Sequence, residues 1–397
     1  MKRYAKSMSR LGTETAFAVL DQVKKLKAEG KDIVSFCIGE PDFDTPKNIR
    51  DAAKKALDDG HTHYGPSTGL LEARQAYAEY INSTRKNVSY DADEIVITPG
   101  GKPVMFYAIM LLADVDDEII YPNPGFPIYE SMINYVGAKA IPLPLLEEKE
   151  FVFDVKELEK LISPKTKMLI LNSPQNPCGG VIQKDDLETV ARLAVEHDLW
   201  VLSDEIYSRI LYGEEFQSIT QFPGMKERTI ILEGHSKTYA MTGWRLGYGA
   251  MNKELAVGIG QLMTNSCSCT SSFTQIAGIE AYKGPQDETE IMVKRFQSRR
   301  DLIVDGLNNI SGVQCLSPRG AFYVFPNVTD ACKNLGFTQS VELQDYLLNE
   351  AGVAVLARTC FGQRNKGETA LYIRLSYATS EENIKEGLKR IKAALEK

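Results

Sequence analysis

A chain of 397 residues is long enough to hold two domains and to bury a large core. Its 43% hydrophobic and 25% charged residues are those of an ordinary globular protein. The 46 basic against 53 acidic side chains leave a formal charge of −7, which argues against a general affinity for nucleic acid or an anionic membrane surface, though not against local basic pockets.

Met1-Lys2-Arg3-Tyr4 is followed by no apolar run, so no secretory signal is expected. From Thr15 to Glu29, Ala16, Leu20, Val23 and Leu26 recur near one face of a helix, and Gly30 is placed to stop it. Pro46 opens a second helix and Gly60 ends it. Then come five short apolar runs: Ile95-Val96-Ile97, Ile119-Ile120-Tyr121, Met168-Leu169-Ile170-Leu171, Trp200-Val201-Leu202 and Thr229-Ile230-Ile231-Leu232. Runs that do not alternate with polar residues read as strands buried on both faces. Helical patterns such as Leu187 to His197 lie between several of them, which predicts an α/β fold with a mostly parallel sheet. After Gly284-Pro285 the pattern changes. A long charged helix, about Glu288 to Asn309, leads to Phe322-Phe325, Val353-Leu356, Tyr372-Leu375 and a helix from Glu381, which reads as a smaller α+β domain. No stretch approaches the roughly 18 apolar residues of a spanning helix. The seven cysteines are scattered and poorly spaced for zinc, as expected for reduced thiols in the cytoplasm.

In an open α/β sheet, ligands bind at the carboxyl ends of the strands. The first apolar run leads into Pro99-Gly100-Gly101-Lys102 and a helix, Val104 to Ala113, whose N-terminus suits a phosphate. The third leads into Asn172-Ser173-Pro174-Gln175-Asn176-Pro177-Cys178-Gly179-Gly180, where two prolines stiffen the mount of Asn176, although a plain prolyl turn explains the loop equally well. The fourth ends in Ser203-Asp204-Glu205-Ile206-Tyr207, and a carboxylate at the end of a buried strand is costly unless paired. The fifth leads to Ser236-Lys237 and Gly243-Trp244-Arg245. Together these strand ends provide a phosphate nest, a carboxylate, an amide and an amine. Pyridoxal phosphate needs a lysine for its Schiff base and an acid beside its ring nitrogen.

Those segments, together with Ile38-Gly39-Glu40-Pro41-Asp42-Phe43, Tyr64-Gly65-Pro66 and Arg374-Leu375-Ser376, resemble the class I (fold type I) pyridoxal-phosphate aminotransferases, in particular the bacterial and archaeal branch of the aspartate aminotransferase family. The resemblance runs almost end to end. It implies a large cofactor domain over residues 48–285, a discontinuous small domain over 13–47 and 286–397, and an arm over 1–12. It implies that Lys237 carries the cofactor and moves the substrate proton, that Asp204 pairs with the ring nitrogen, and that Tyr207 and Asn176 hold the ring hydroxyl oxygen. Gly101, the Lys102 backbone, Ser236 and Arg245 match the phosphate site, and Phe126 matches the aromatic against the ring face. Arg374 and the Gly39 backbone match the grip on the substrate α-carboxylate, and Asn176 borders the same site. Tyr64 matches a tyrosine that reaches the phosphate of a neighbouring subunit, which implies a homodimer. The expected partners are otherwise small amino acids and 2-oxo acids, with no nucleic acid, membrane or metal.

There are departures. Cys178 stands where threonine is usual. Many relatives have Pro-Gly near Ala357-Arg358, so Arg358 is either an extra substrate contact or a surface charge. Gly12 falls near a position where several aspartate- and prephenate-handling relatives carry lysine. The expected reaction is ping-pong amino transfer of the aspartate/2-oxoglutarate type, with a broad-range, aromatic or alanine aminotransferase, or a C–S lyase on the same scaffold, as alternatives. A nicotinamide dehydrogenase would need a Gly-x-Gly-x-x-Gly turn after the first strand, and none is placed so.

Overall fold

A computed structural model describes residues 4–12 and 16–396. Thr15, the expected start of the first helix, lies outside them, as do Met1–Arg3 of the expected arm. Among the described residues, eight strands form one central sheet. In chain order they are β1 (Ile95–Thr98), β2 (Glu118–Asn123), β3 (Lys139–Leu146), β4 (Val152–Phe153), β5 (Thr166–Asn172), β6 (Trp200–Asp204), β7 (Thr229–Gly234) and β8 (Gly247–Ala250). Across the sheet the order is β1-β8-β7-β6-β5-β2-β3-β4. The run from β3 to β7 is parallel, whereas β8 is antiparallel to both its neighbours and β4 is an antiparallel edge.

All five apolar runs are strands, and each is buried on both faces. Helices on either side provide that burial. Three strands are additional: β3, the short β4 and β8. β3 carries Pro142 and Pro144, which lack an N–H for the ladder, and it pairs on its outer side only with the two-residue β4. β8 reads Gly-Tyr-Gly-Ala, where glycine replaces the apolar signal. Gly247 must be small, because a Cβ there would stand 2.5 Å from the Gly101 amide nitrogen.

The remaining strands form a separate set. Tyr323–Val324, Ile373–Ser376 and Leu356–Ala357 make a three-stranded antiparallel sheet, and Val34–Ser35 pairs in parallel with Val353–Ala354. The long helix is Asp287–Asn308, and it packs with Glu381–Leu395 over a core that includes Phe296, Phe322 and Leu375. The first helix, Ala16–Ala28, buries Val19, Val23 and Leu26. The second, Lys47–Asp58, starts after Pro46 and is followed by Gly60 at a positive φ. Among the described residues no helix is long and apolar enough to cross a membrane.

Candidate active site

The C-terminal ends of β1, β5, β6 and β7 face a cavity of about 340 Å³, closed on the far side by residues of the second set of strands. The sheet register brings the key positions level: Asn172 is opposite Asp204, and Asp204 is opposite Leu232. Asp204 closes β6, and its side chain borders the cavity. The Tyr129 hydroxyl donates to its Oδ2 at 2.5 Å and the Ile206 N–H to its Oδ1 at 3.3 Å. Burial dominates and pushes this carboxyl up to about 6, while the two donors and Lys237 pull it down and Glu205 raises it.

The next residue, Glu205, turns away from the cavity, as alternation along a strand requires. There it shares Arg85 with Glu233, at 2.9 and 2.6 Å, in a cluster almost wholly out of water. Buried charges persist only when paired in this way. The cluster ties the ends of β6 and β7 to the end of the helix Leu71–Thr84.

Lys237 follows β7, and its ammonium donates to the Gly39 carbonyl at 2.5 Å. Ser236 and Arg245 border the same end of the cavity. Gly100, at φ +90°, passes directly beside the Arg245 guanidinium, where a Cβ would overlap Nη2. Gly101 caps the helix Lys102–Leu112, so the helix N-terminus, whose dipole favours an anion, lines the same cavity as Arg245. Phe126 forms a side wall, edge-on to Tyr129, with the Lys102 ammonium 5.1 Å above its ring.

Arg374 lies opposite Leu356 in the small sheet and points into the cavity. Its Nη2 donates to the Cys37 carbonyl and its Nη1 to Asn176 Oδ1 at 3.3 Å. The Arg374 Cζ lies over the Tyr323 and Phe361 rings, 4.6 and 4.8 Å from their centroids. Its buried Nε finds no hydrogen-bond partner among the described residues. A buried donor left unmade costs about 1–3 kcal/mol.

Lys237, Asp204, Tyr207, Gly101, Lys102, Phe126, Asn176, Ser236, Arg245, Gly39 and Arg374 therefore all line one cavity. Tyr64 does not. It is 91% exposed, so it is no packing aromatic within its own chain. Gly12 packs against Ser131 and is not part of the cavity wall.

Arg358 corrects both expectations for it. It is 1% exposed, so it is no surface charge, and it does not line the cavity. Nε and Nη2 grip Glu368 at 2.8 and 3.0 Å, which spends the guanidinium on a carboxylate ten residues further along.

Four contributors carry no role in the sequence motifs: Tyr129 and Phe361, which lie outside them, and Asn172 and Tyr323, which stand in quoted segments without one. Asn172 donates to the Asp204 carbonyl at 3.2 Å, and Tyr323 meets the Tyr207 hydroxyl at 2.8 Å. Only the alternation in Phe322-Tyr323, one ring into the core and the next toward the cavity, signals one of them locally. Among the described residues no cluster of three or more histidine, cysteine or acidic side chains is placed to hold a metal.

The family described as aminotransferase class I and II matches residues 31–391. The aspartate aminotransferase of Bacillus subtilis is 36% identical over all of this chain and 99% of its own length. Aromatic-amino-acid aminotransferase 2 of Thermococcus litoralis is 40% identical over 91% of this chain and 92% of its own. Among solved structures, the aspartate aminotransferase of Thermus thermophilus with maleate superposes with a TM-score of 0.93 at 34% identity, covering 99% of this chain and all of that one. With this coverage and this sheet, the chain belongs to the class I and II aminotransferases.

Proposed function

We propose that this aminotransferase binds pyridoxal phosphate at Lys237 and moves the amino group of an acidic L-amino acid, aspartate, to 2-oxoglutarate by a ping-pong mechanism. The observation that carries the reading is the convergence of three charged groups in one cavity: the Lys237 amine, the Asp204 carboxyl and an Arg374 guanidinium with an unmet buried donor. The residues present fit the cofactor. Close approaches that exclude a Cβ at Gly100 and Gly247 hold the glycine turn against Arg245, and Gly101, Ser236 and Arg245 line the cavity together. Asp204, costly to ionise alone, gains a cationic partner from a protonated ring nitrogen.

When bound, pyridoxal phosphate supplies an electron sink for the negative charge that develops at the substrate Cα. The chain's own residues do the rest. Arg374 grips the α-carboxylate through two donors, with the Gly39 backbone beside it, and so orients the Cα–H bond. The Lys237 Nζ takes the proton from Cα as general base. Phe126 forms the apolar wall against the ring, while Tyr207 and Asn176 hold its hydroxyl oxygen. Gly101, the Lys102 backbone, Ser236 and Arg245 hold the phosphate. Tyr64, exposed on its own chain, reaches the phosphate of a second copy, which makes the working unit a homodimer with shared sites. Residues 48–285 form the cofactor domain, and 13–47 with 286–397 the small domain, in a cytoplasmic enzyme.

For the substrate, the Lys102 ammonium is a cation in the cavity wall beyond Lys237, Arg245 and Arg374. It lies above Phe126 and, at 5.9 Å, Phe17. A distal carboxylate that leaves water needs such a charge. The Thermus relative is named with maleate, a dicarboxylate. Phe17, Ala16, Leu20 and Ile38 give the same cavity an apolar side that favours the second reading, an aromatic side chain as in the Thermococcus relative.

The test is borohydride reduction of the loaded protein followed by peptide mapping, then a panel of amino acids scored by the cofactor absorbance. The label is expected on Lys237, with aspartate as the best donor and recovery of the absorbance on adding 2-oxoglutarate. A label on another lysine overturns the site, and a preference for phenylalanine overturns the substrate. Absorbance that recovers without any 2-oxo acid, with the amino acid broken down and ammonia released, indicates a lyase instead.

A further inference from the structure

We infer that Arg358 is a positioning residue for the substrate-carboxylate site, acting through Phe361 and Gly125. The inference rests on the reading of Arg374 as the α-carboxylate anchor.

The guanidinium makes five hydrogen bonds: two to Glu368, one to the Gly362 carbonyl at 2.9 Å, one to the Gln363 carbonyl at 3.3 Å and one to Asn123 Oδ1 at 3.2 Å. Asn123 is the last residue of β2, in the central sheet. Its Nδ2 also donates to the Gln363 carbonyl at 2.8 Å and to Asn365 Oδ1 at 2.7 Å, and the Asn365 amide returns a bond to the Asn123 carbonyl at 3.0 Å. The segment 358–368 is thus fastened to the end of β2 by side chains.

Phe361 lies inside this fastening. Its carbonyl accepts from the Gly125 N–H at 3.0 Å, next to Phe126 in the cavity wall. Its ring lies under the Arg374 guanidinium, 4.8 Å from Cζ to the centroid. Arg358 therefore does not line the cavity, yet it sets where the Phe361 ring, in contact with Arg374, stands relative to the Phe126 wall. The ion pair is nearly dry, with side-chain exposures of 1% and 12%. Lysine could not replace it, because a single ammonium cannot reach three differently directed acceptor sets at once.

The experiment compares Arg358→Lys, and Asn365→Ala as a milder cut in the same network, with the wild-type holoenzyme. The readouts are KM and kcat for aspartate and for phenylalanine, the Kd for maleate by titration of the cofactor absorbance, and the melting temperature. A misplacement of about 1 Å at a binding group costs up to about 100-fold. KM for both amino acids and the maleate Kd are expected to rise by a common factor of about 10 to 100 in Arg358→Lys and by less in Asn365→Ala, with kcat changed far less.

Unchanged KM and Kd beside a lowered melting temperature would show a purely structural pair and overturn the inference. A loss for aspartate and maleate but not phenylalanine would overturn it too, making Arg358 a side-chain selector. If Arg358→Lys does not fold, Asn365→Ala decides by the same criteria. A wild type that binds maleate but transfers no amino group refutes the proposed function, while the maleate Kd still tests the positioning role.

Discussion

Asp204 offers the sharpest test, because its role is readable in the protein without cofactor. The residue is 7% exposed, and burial raises its carboxyl from an ordinary 3.8 to about 6. The folded chain therefore holds this proton more tightly than the unfolded chain. The stability linked to it is fully present below about pH 3.8 and is lost as the pH rises through about 6. At about 1.4 kcal/mol for each pH unit, that interval corresponds to a loss of about 3 kcal/mol by pH 8. Asp204→Asn keeps the shape and an acceptor for the Tyr129 hydroxyl, but carries no charge to bury. Urea unfolding of cofactor-free protein across pH 4 to 8 should find variant and wild type equal at the acid end. The variant should be more stable by up to about 3 kcal/mol at pH 8. Saturating pyridoxal phosphate should reverse the order, because wild type binds it more tightly and gains RT ln(1 + [L]/Kd). A stability difference that does not change with pH would refute the account of Asp204 as a buried carboxyl awaiting a cation. A reversal that fails to appear would refute its pairing with the ring.

Arg374→Lys should leave the cofactor spectrum intact and lower kcat/KM about 10- to 100-fold for every amino acid, the loss of a charge-assisted two-point grip; unchanged kinetics across the panel would remove Arg374 from the substrate site. Tyr64→Ala should weaken retention of the cofactor, and mixing this variant with Lys237→Ala chains should restore activity. One site in each mixed dimer then has both its lysine and its partner's tyrosine. Mixtures no more active than their components would show that Tyr64 does not cross between subunits.

Much of this site was legible in sequence because it is built locally. A run such as Met168–Leu171 declares a two-sided buried strand wherever it occurs, and the residue after it must then lie at a carboxyl edge. Asp204, Lys237 and the Gly100-Gly101 turn follow directly from that rule. The strands β3 and β8 were hidden for equally local reasons, prolines in one and glycines in the other, since neither residue type advertises a strand. Arg358 is the opposite case. Its immediate neighbours fix neither its burial nor its partners, because Asn123 stands 235 positions away and Glu368 returns to it only around the turn at Gly362. The same holds for Tyr129, whose hydroxyl meets Asp204 across 75 positions, and for the Nε of Arg374, which is buried without a hydrogen-bond partner among the described residues. Backbone pattern is a short-range property carried by neighbouring residues. Which buried polar group answers which is settled by desolvation after the elements have packed, and only the tertiary structure decides it.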